Sequence, residues 1–195
     1  MSELPVIGAQ LCVLDIDRHR DWLFEKNRDL ELPEFCLADI LNAPAPFIGM
    51  AKAKLDGWHG RLGIHGPFSG FELDVKDAEI RAVVRKRIDQ ALDVCAALEA
   101  RQMVLHSPYD AWDHANLDNG PGDRARHVRA VLETLKPALD RAEALGVVLV
   151  LENIKDVDPA ARAAVVDAAD SPALRLSVDT GHALWAHVTC GAPPV

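Results

Sequence analysis

Most of the features that would announce a function outright are missing from these 195 residues. No run of about 18 apolar residues occurs, so no membrane-spanning helix is expected. The opening stretch, Met1 to Pro5, carries an acid where a leader would carry basic charge, so no secretory signal is expected. Positive charge is in deficit: 21 Lys and Arg stand against 30 Asp and Glu, a net charge of −9. Charge alone therefore disfavours a polyanionic partner, whether nucleic acid or an anionic membrane. There is no Cys-x-x-Cys pair. The four cysteines, at 12, 36, 95 and 190, are scattered, which points to reduced thiols and a cytoplasmic protein. Neither Gly-x-Gly-x-x-Gly nor Gly-x-x-x-x-Gly-Lys-Ser/Thr appears, which removes the best marker of a nucleotide-binding sheet.

What is present is an ordinary globular composition, 49% hydrophobic and 26% charged, at a length that suits one domain with a sizeable core. Short apolar runs read as strands over 6–13, 30–35, 62–68, 102–109, 147–154 and 174–179. Between them the spacing predicts helices over 17–28, 50–55, 77–100, 124–145 and 159–169. In the long helix from 77, Ile80, Val83, Val84, Ile88, Leu92 and Cys95 share one face, and Asp77 is the expected N-cap. Pro137 is expected to kink or split the next helix, which Gly146 ends. Residues 110–123 and the tail 190–195 read as loops. Doubly buried strands alternating with helices mean a parallel sheet covered by helices, of class α/β. Without a phosphate loop, a (β/α) barrel is the preferred form.

The strongest signal is an internal echo. Ile64-His65-Gly66-Pro67-Phe68 repeats as Leu105-His106-Ser107-Pro108-Tyr109, each at the C-terminal end of an expected strand. The next two strands end in Glu152 and in Asp179, with His182 three residues on. In a parallel barrel those ends form one rim, where active sites sit, and neighbouring strands are about 4.8 Å apart. Imidazole and carboxylate together suit Zn, Mn, Co or Mg. Ordinary roles compete at each position: a turn histidine for His65 or His106, a salt bridge for Glu152, a helix cap for Asp179, a first-turn surface residue for His182. The repeated pattern weighs against all five being ordinary. His19, His59, His114, His127 and His187 lack such a context and read as surface or helix histidines.

The segments IHGPF (64–68), LHSPY (105–109), LVLENI (149–154) and LSVDTGHA (176–183) resemble the xylose isomerase-like TIM barrel superfamily. That superfamily includes sugar and sugar-phosphate isomerases and epimerases of carbohydrate metabolism, and apurinic endonucleases of the endonuclease IV type. The resemblance implies a metal-dependent sugar or sugar-phosphate isomerase or epimerase working by proton abstraction through an enediolate. It implies Glu152 as metal ligand and catalytic base, Asp179 as a second ligand, and His182 and His65 as substrate or metal contacts. In the endonuclease branch His65, His106, Glu152, Asp179 and His182 all match zinc ligands. His106 therefore leans toward a zinc phosphodiesterase on abasic DNA, while the acidity leans away from it. Lys155 is the one cation noted near these strand ends, and no phosphate cradle can be named.

Length departs from the resemblance. An eight-unit barrel takes about 250 residues, whereas residues 1–195 read as a single barrel domain of six βα units, lacking the last two. Those two units carry a further histidine and glutamate in the family. Edges at strands one and six would be left open, to be covered by a partner such as a second copy in a homodimer. Three readings stand: a truncated and non-catalytic remnant, completion by another chain, or a different strand count.

Overall fold

The computed structural model describes residues 6–70 and 72–191. Met1 to Pro5 and residues 192–195, part of the expected terminal loop, lie outside them. Six strands form one sheet in sequence order, every neighbouring pair parallel. They are β1 (Ala9–Gln10), β2 (Leu30–Leu32), β3 (Leu62–His65), β4 (Gln102–His106), β5 (Val148–Glu152) and β6 (Leu174–Ser177). The intervening helices are α1 (Arg20–Glu25), α2 (Ala38–Asn42), α3 (Ala45–Lys54), α4 (Ala78–Leu98), α5 (Ala111–Asn116), α6 (Asp123–Leu145), α7 (Pro159–Ala169) and α8 (Thr180–Cys190). Six βα units wound in one direction are the expected architecture, an α/β sheet of barrel type.

Strand side chains alternate between faces. One face sends Leu30, Leu32, Ile64, Met103, Leu105, Leu149, Leu151 and Leu174 into the core beneath the helices. The other carries Glu31, Gly63 and Gln102 side by side, as the register requires. The sheet therefore has an apolar outer face under helices and a more polar inner one.

Several local expectations are corrected. The first strand is only Ala9–Gln10, and Val13 already opens a 3-10 turn, Val13–His19. In α4, Asp77 caps as expected, accepting from the amides of Glu79 and Ile80. Val84, Ile88, Leu92 and Cys95 are buried, but Ile80 and Val83 are half exposed, since both lie in the first two turns on the margin of the apolar stripe. α6 runs unbroken through Pro137, because Thr134, Leu135, Ala138 and Leu139 pin the flanking turns into the core. The expected loop at 110–123 contains α5, built by a capping box: Asp110 accepts from the Asp113 amide at 3.0 Å and Asp113 accepts from the Asp110 amide at 3.0 Å. Cys190 ends α8 and does not begin a loop. All four cysteines are free thiols.

Candidate metal centre

His65 closes β3, His106 closes β4 and Glu152 closes β5. The β4–β5 register sets His106 directly beside Glu152. One ligand atom from each of His65, His106 and Glu152 lies within 4.8 Å of the other two. Nε2 of His106 stands 3.1 Å from Nε2 of His65 and 3.8 Å from Oε2 of Glu152.

The local sequence explains the convergence. Gly66 brings the first turn hard against β4: its amide donates to the Val104 carbonyl at 2.8 Å. A Cβ there would lie 2.6 Å from that same oxygen. Phe68 then folds back over the site, its ring stacked on His106 at 4.1 Å and edge-on to His65 at 5.0 Å.

The electrostatics suit ligation. Nδ1–H of His65 donates to the Gly66 carbonyl at 2.9 Å, which leaves the lone pair on Nε2, facing His106. Burial, followed by the neighbouring His65 and His182, pushes His106 down to about 4. It is therefore neutral at pH 7, the form that binds metals, and its contact with Glu152 is no ion pair there. Burial raises the Glu152 carboxyl above its ordinary value; Asp179 and Glu31 add to this, while His65 and Arg162 oppose it. Two nitrogens bound to one ion sit roughly 3 Å apart, so the imidazole spacing fits a shared divalent ion.

Asp179 and His182 fall outside the three-residue group. Asp179 caps α8, one carboxylate oxygen accepting from the His182 amide at 2.6 Å. Its place is fixed by buried Asn153, whose side-chain oxygen accepts from the Asp179 amide at 2.8 Å and whose nitrogen donates to the Asp179 carbonyl at 2.9 Å. Asp179 and Glu152 share a hollow of about 380 Å³ with Gln10, Glu31 and Gln102. On the other side a cavity of about 490 Å³ is bounded by Phe68, His106, Tyr109, Glu72, Asp110 and Lys155, a size that takes a small ligand. The hollow of about 860 Å³ between α6 and α7 is larger but has none of the three grouped side chains in its lining.

Residues to which the sequence reading gave no role of their own are Phe68, Ser107 and Asn153, which lie inside the quoted segments, and Asp156 and Arg162, which lie outside them. Arg162 had a visible signal, a lone charge among the alanines and valines of 160–166. His114, read as a surface or helix residue, is a half-buried residue of α5 that packs on Tyr109 with ring centroids 5.8 Å apart.

The family profile "Xylose isomerase-like TIM barrel" matches residues 50–189. No curated protein sequence matches the chain. Among solved structures, a D-tagatose 3-epimerase-like protein is 20% identical with a TM-score of 0.69, over 92% of this chain and 66% of that one. A Thermus thermophilus protein soaked with ZnCl2 is 23% identical with a TM-score of 0.67, over 91% and 66%. An AP endonuclease, family 2, from Brucella melitensis is 16% identical with a TM-score of 0.64, over 95% and 71%. At these identities the likeness is one of fold. The chain spans about two thirds of the length of the first two structures. Among the described residues no helix is long and apolar enough to cross a membrane.

Proposed function

The chain belongs to the xylose isomerase-like TIM barrel family, and on that footing we propose that it is a metal-dependent isomerase or epimerase of a sugar or sugar phosphate. The observation that carries this reading is the gathering of His65, His106 and Glu152 within 4.8 Å at the strand-end rim, beside a ligand-sized cavity. A divalent ion held there supplies Lewis acidity toward a ketose carbonyl. Two imidazoles and one carboxylate favour Zn, Co or Mn over Mg, which prefers oxygen donors.

Glu152 is the base. Burial raises its carboxyl in the metal-free site, a bound cation would offset that rise, and its claim to the base role rests on its place at the strand-end rim among the other ligand atoms. It takes the proton from the carbon next to the carbonyl, giving an enediolate; the protonated Glu152 returns it to the adjacent carbon while the hydroxyl proton passes to the former carbonyl oxygen, which yields the isomer, and a proton delivered by a water on the opposite face yields the epimer. Asp179 offers its uncapped oxygen as a further ligand, and His182 binds a substrate hydroxyl. Phe68, stacked on His106, excludes water from one side of the site. Glu72 and Asp110 on the cavity wall outnumber Lys155, which favours an uncharged sugar over its phosphate.

A second reading, a zinc phosphodiesterase on abasic DNA, is favoured by the presence of His106 in the group and opposed by the net charge of −9. The cellular setting of either enzyme is the cytoplasm. A second copy of the chain is the partner assigned to the β6–α8 edge, where Leu176, Val178, Leu184, Trp185 and Val188 are exposed.

The test is hydrogen exchange. The metal-loaded protein is incubated with a panel of ketoses in D2O and the carbons flanking the carbonyl are followed by NMR. Deuterium incorporation that Glu152→Gln abolishes is expected. No incorporation with any sugar, alongside chelator-sensitive cleavage of an abasic oligonucleotide, would move the assignment to the phosphodiesterase.

A further inference from the structure

Behind the candidate site lies an ion pair that takes no part in the proposed chemistry. Arg162, on the first turn of α7, is 4% exposed, and Asp156 is 9% exposed. Nε of Arg162 donates to Oδ1 of Asp156 at 3.1 Å. One terminal nitrogen of Arg162 donates to two carbonyls, Leu151 at 2.8 Å and Ser177 at 2.8 Å. Asp156 in turn accepts from Ser107 Oγ at 2.9 Å and from the Ile154 amide at 3.2 Å. The Ser107 amide donates to the Glu152 carbonyl at 2.8 Å.

Each arm ends next to a residue of the rim. Ser107 follows His106, Leu151 precedes Glu152, and Ser177 lies two residues before Asp179. We propose that Arg162 and Asp156 are the positioning pair of the metal centre: one buried guanidinium–carboxylate unit locks the ends of β4, β5 and β6 in the register that brings His106 against Glu152. Stability alone does not account for the pair, because a buried ion pair is commonly no more stabilising than apolar residues of the same volume. It supplies direction, since the planar guanidinium fixes its donors at set angles where an ammonium does not. Residues that orient ligands from behind typically contribute 10- to 100-fold in metal affinity. This inference rests on reading His65, His106 and Glu152 as metal ligands.

The experiment uses the whole chain and Co²⁺, read by its visible absorption bands and by competition with a chromophoric chelator, with thermal unfolding followed in parallel. Ser107→Ala cuts the arm to His106 and the 3.3 Å bond that Ser107 Oγ accepts from the Tyr109 amide, and leaves the ion pair in place. It is expected to weaken Co²⁺ binding about tenfold and shift the visible bands at temperatures well below the unfolding midpoint, where the chain is folded. The double variant Arg162→Met/Asp156→Leu replaces the pair by apolar side chains. It is expected to lower the unfolding midpoint, because the Leu151 and Ser177 carbonyls and the Ile154 amide lose their partners, and to lose about 100-fold in Co²⁺ affinity at temperatures well below that midpoint, where the chain is folded. Wild-type affinity and spectrum in both variants would overturn the positioning role while leaving the metal reading intact. Affinity lost only at temperatures where the variant unfolds would also overturn it, leaving the pair a plain structural element. Failure of the unmodified chain to bind Co²⁺ would remove the metal reading and this inference together.

Discussion

His65 and His106 face each other Nε2 to Nε2 across 3.1 Å, and only one of the two carries a hydrogen there. The Gly66 carbonyl can only accept, so the His65 hydrogen is on Nδ1. In the metal-free protein the bond therefore runs from His106 Nε2–H to the His65 lone pair. Holding an ion between them requires His106 to move its hydrogen to Nδ1 or release it, so the imidazole pair is a ligand pair closed on itself.

That relationship has a consequence for pH. His106 sits at about 4 in the folded chain, against roughly 6.5 when unfolded. Between those values the unfolded chain holds the extra proton, so His106 makes the protein lose stability as pH falls from about 6.5 to 4. Glu152, raised on folding, acts in the opposite sense: its cost is fully present above its folded value and vanishes below about 4.3. Urea unfolding of metal-free protein across this range is expected to show a positive slope that His106→Asn flattens. An unchanged slope in the variant would place the titration elsewhere.

Gly66 allows the first histidine turn to lie on β4. With a Cβ only 2.6 Å from the Val104 oxygen, Gly66→Ala must push β3 and β4 apart. A loss of about 1–3 kcal/mol is expected, measured by denaturant unfolding, together with weakened metal binding, since His65 is the neighbouring residue.

Asp179 is a helix cap in the structure and a ligand in the proposal, and two substitutions separate these roles. Asp179→Asn keeps the cap, since asparagine caps as well as aspartate, and is expected to lower metal affinity with little change in stability. Asp179→Ala removes both and is expected to cost about 1 kcal/mol in addition. Metal affinity unaffected by Asp179→Asn, measured by competition titration, would restrict Asp179 to capping α8.

Glu152→Gln preserves size and hydrogen-bonding reach and removes the base. Turnover in the exchange assay is expected to fall by about 10²–10⁴, with the thermal midpoint of the metal-free protein unchanged or raised, because a costly half-buried charge is gone. Retained turnover would take the base role away from Glu152.

The cavity wall discriminates by charge. Glu72 is raised first by burial and then by Asp74, Asp113 and Asp110, so the mouth is a carboxylate field facing Lys155. A free ketohexose is expected to bind the metal-loaded protein more tightly than its phosphate ester by calorimetry, and Glu72→Gln is expected to narrow the gap. Tighter binding of the phosphate would assign Lys155 to anion recognition.

The centre of the sheet was legible because β3, β4 and β5 are compact apolar runs closed by a polar residue; β5, Val148–Glu152, is the clearest case. Pro137 misled because the rule concerns an isolated helix, whereas α6 is held by tertiary packing on both sides of the proline. The Asp110–Asp113 box that starts α5 was obscured by the Asn, Gly and Pro residues that follow it. His65, His106 and Glu152 could be found because strand ends in a parallel sheet share one rim. Asn153, Asp156 and Arg162 could not be placed by the same logic, since their partners are backbone carbonyls, amides and neighbouring loops that only the fold brings within reach.

The most direct measurement is the metal content of the purified chain by plasma mass spectrometry after equilibration with Zn²⁺, Mn²⁺ or Co²⁺, beside His106→Ala and Glu152→Ala. One divalent ion per chain, lost or sharply weakened in both variants, is the expected result. Equal metal in the wild type and the variants, or none in any, would mean that His65, His106 and Glu152 are not a metal centre.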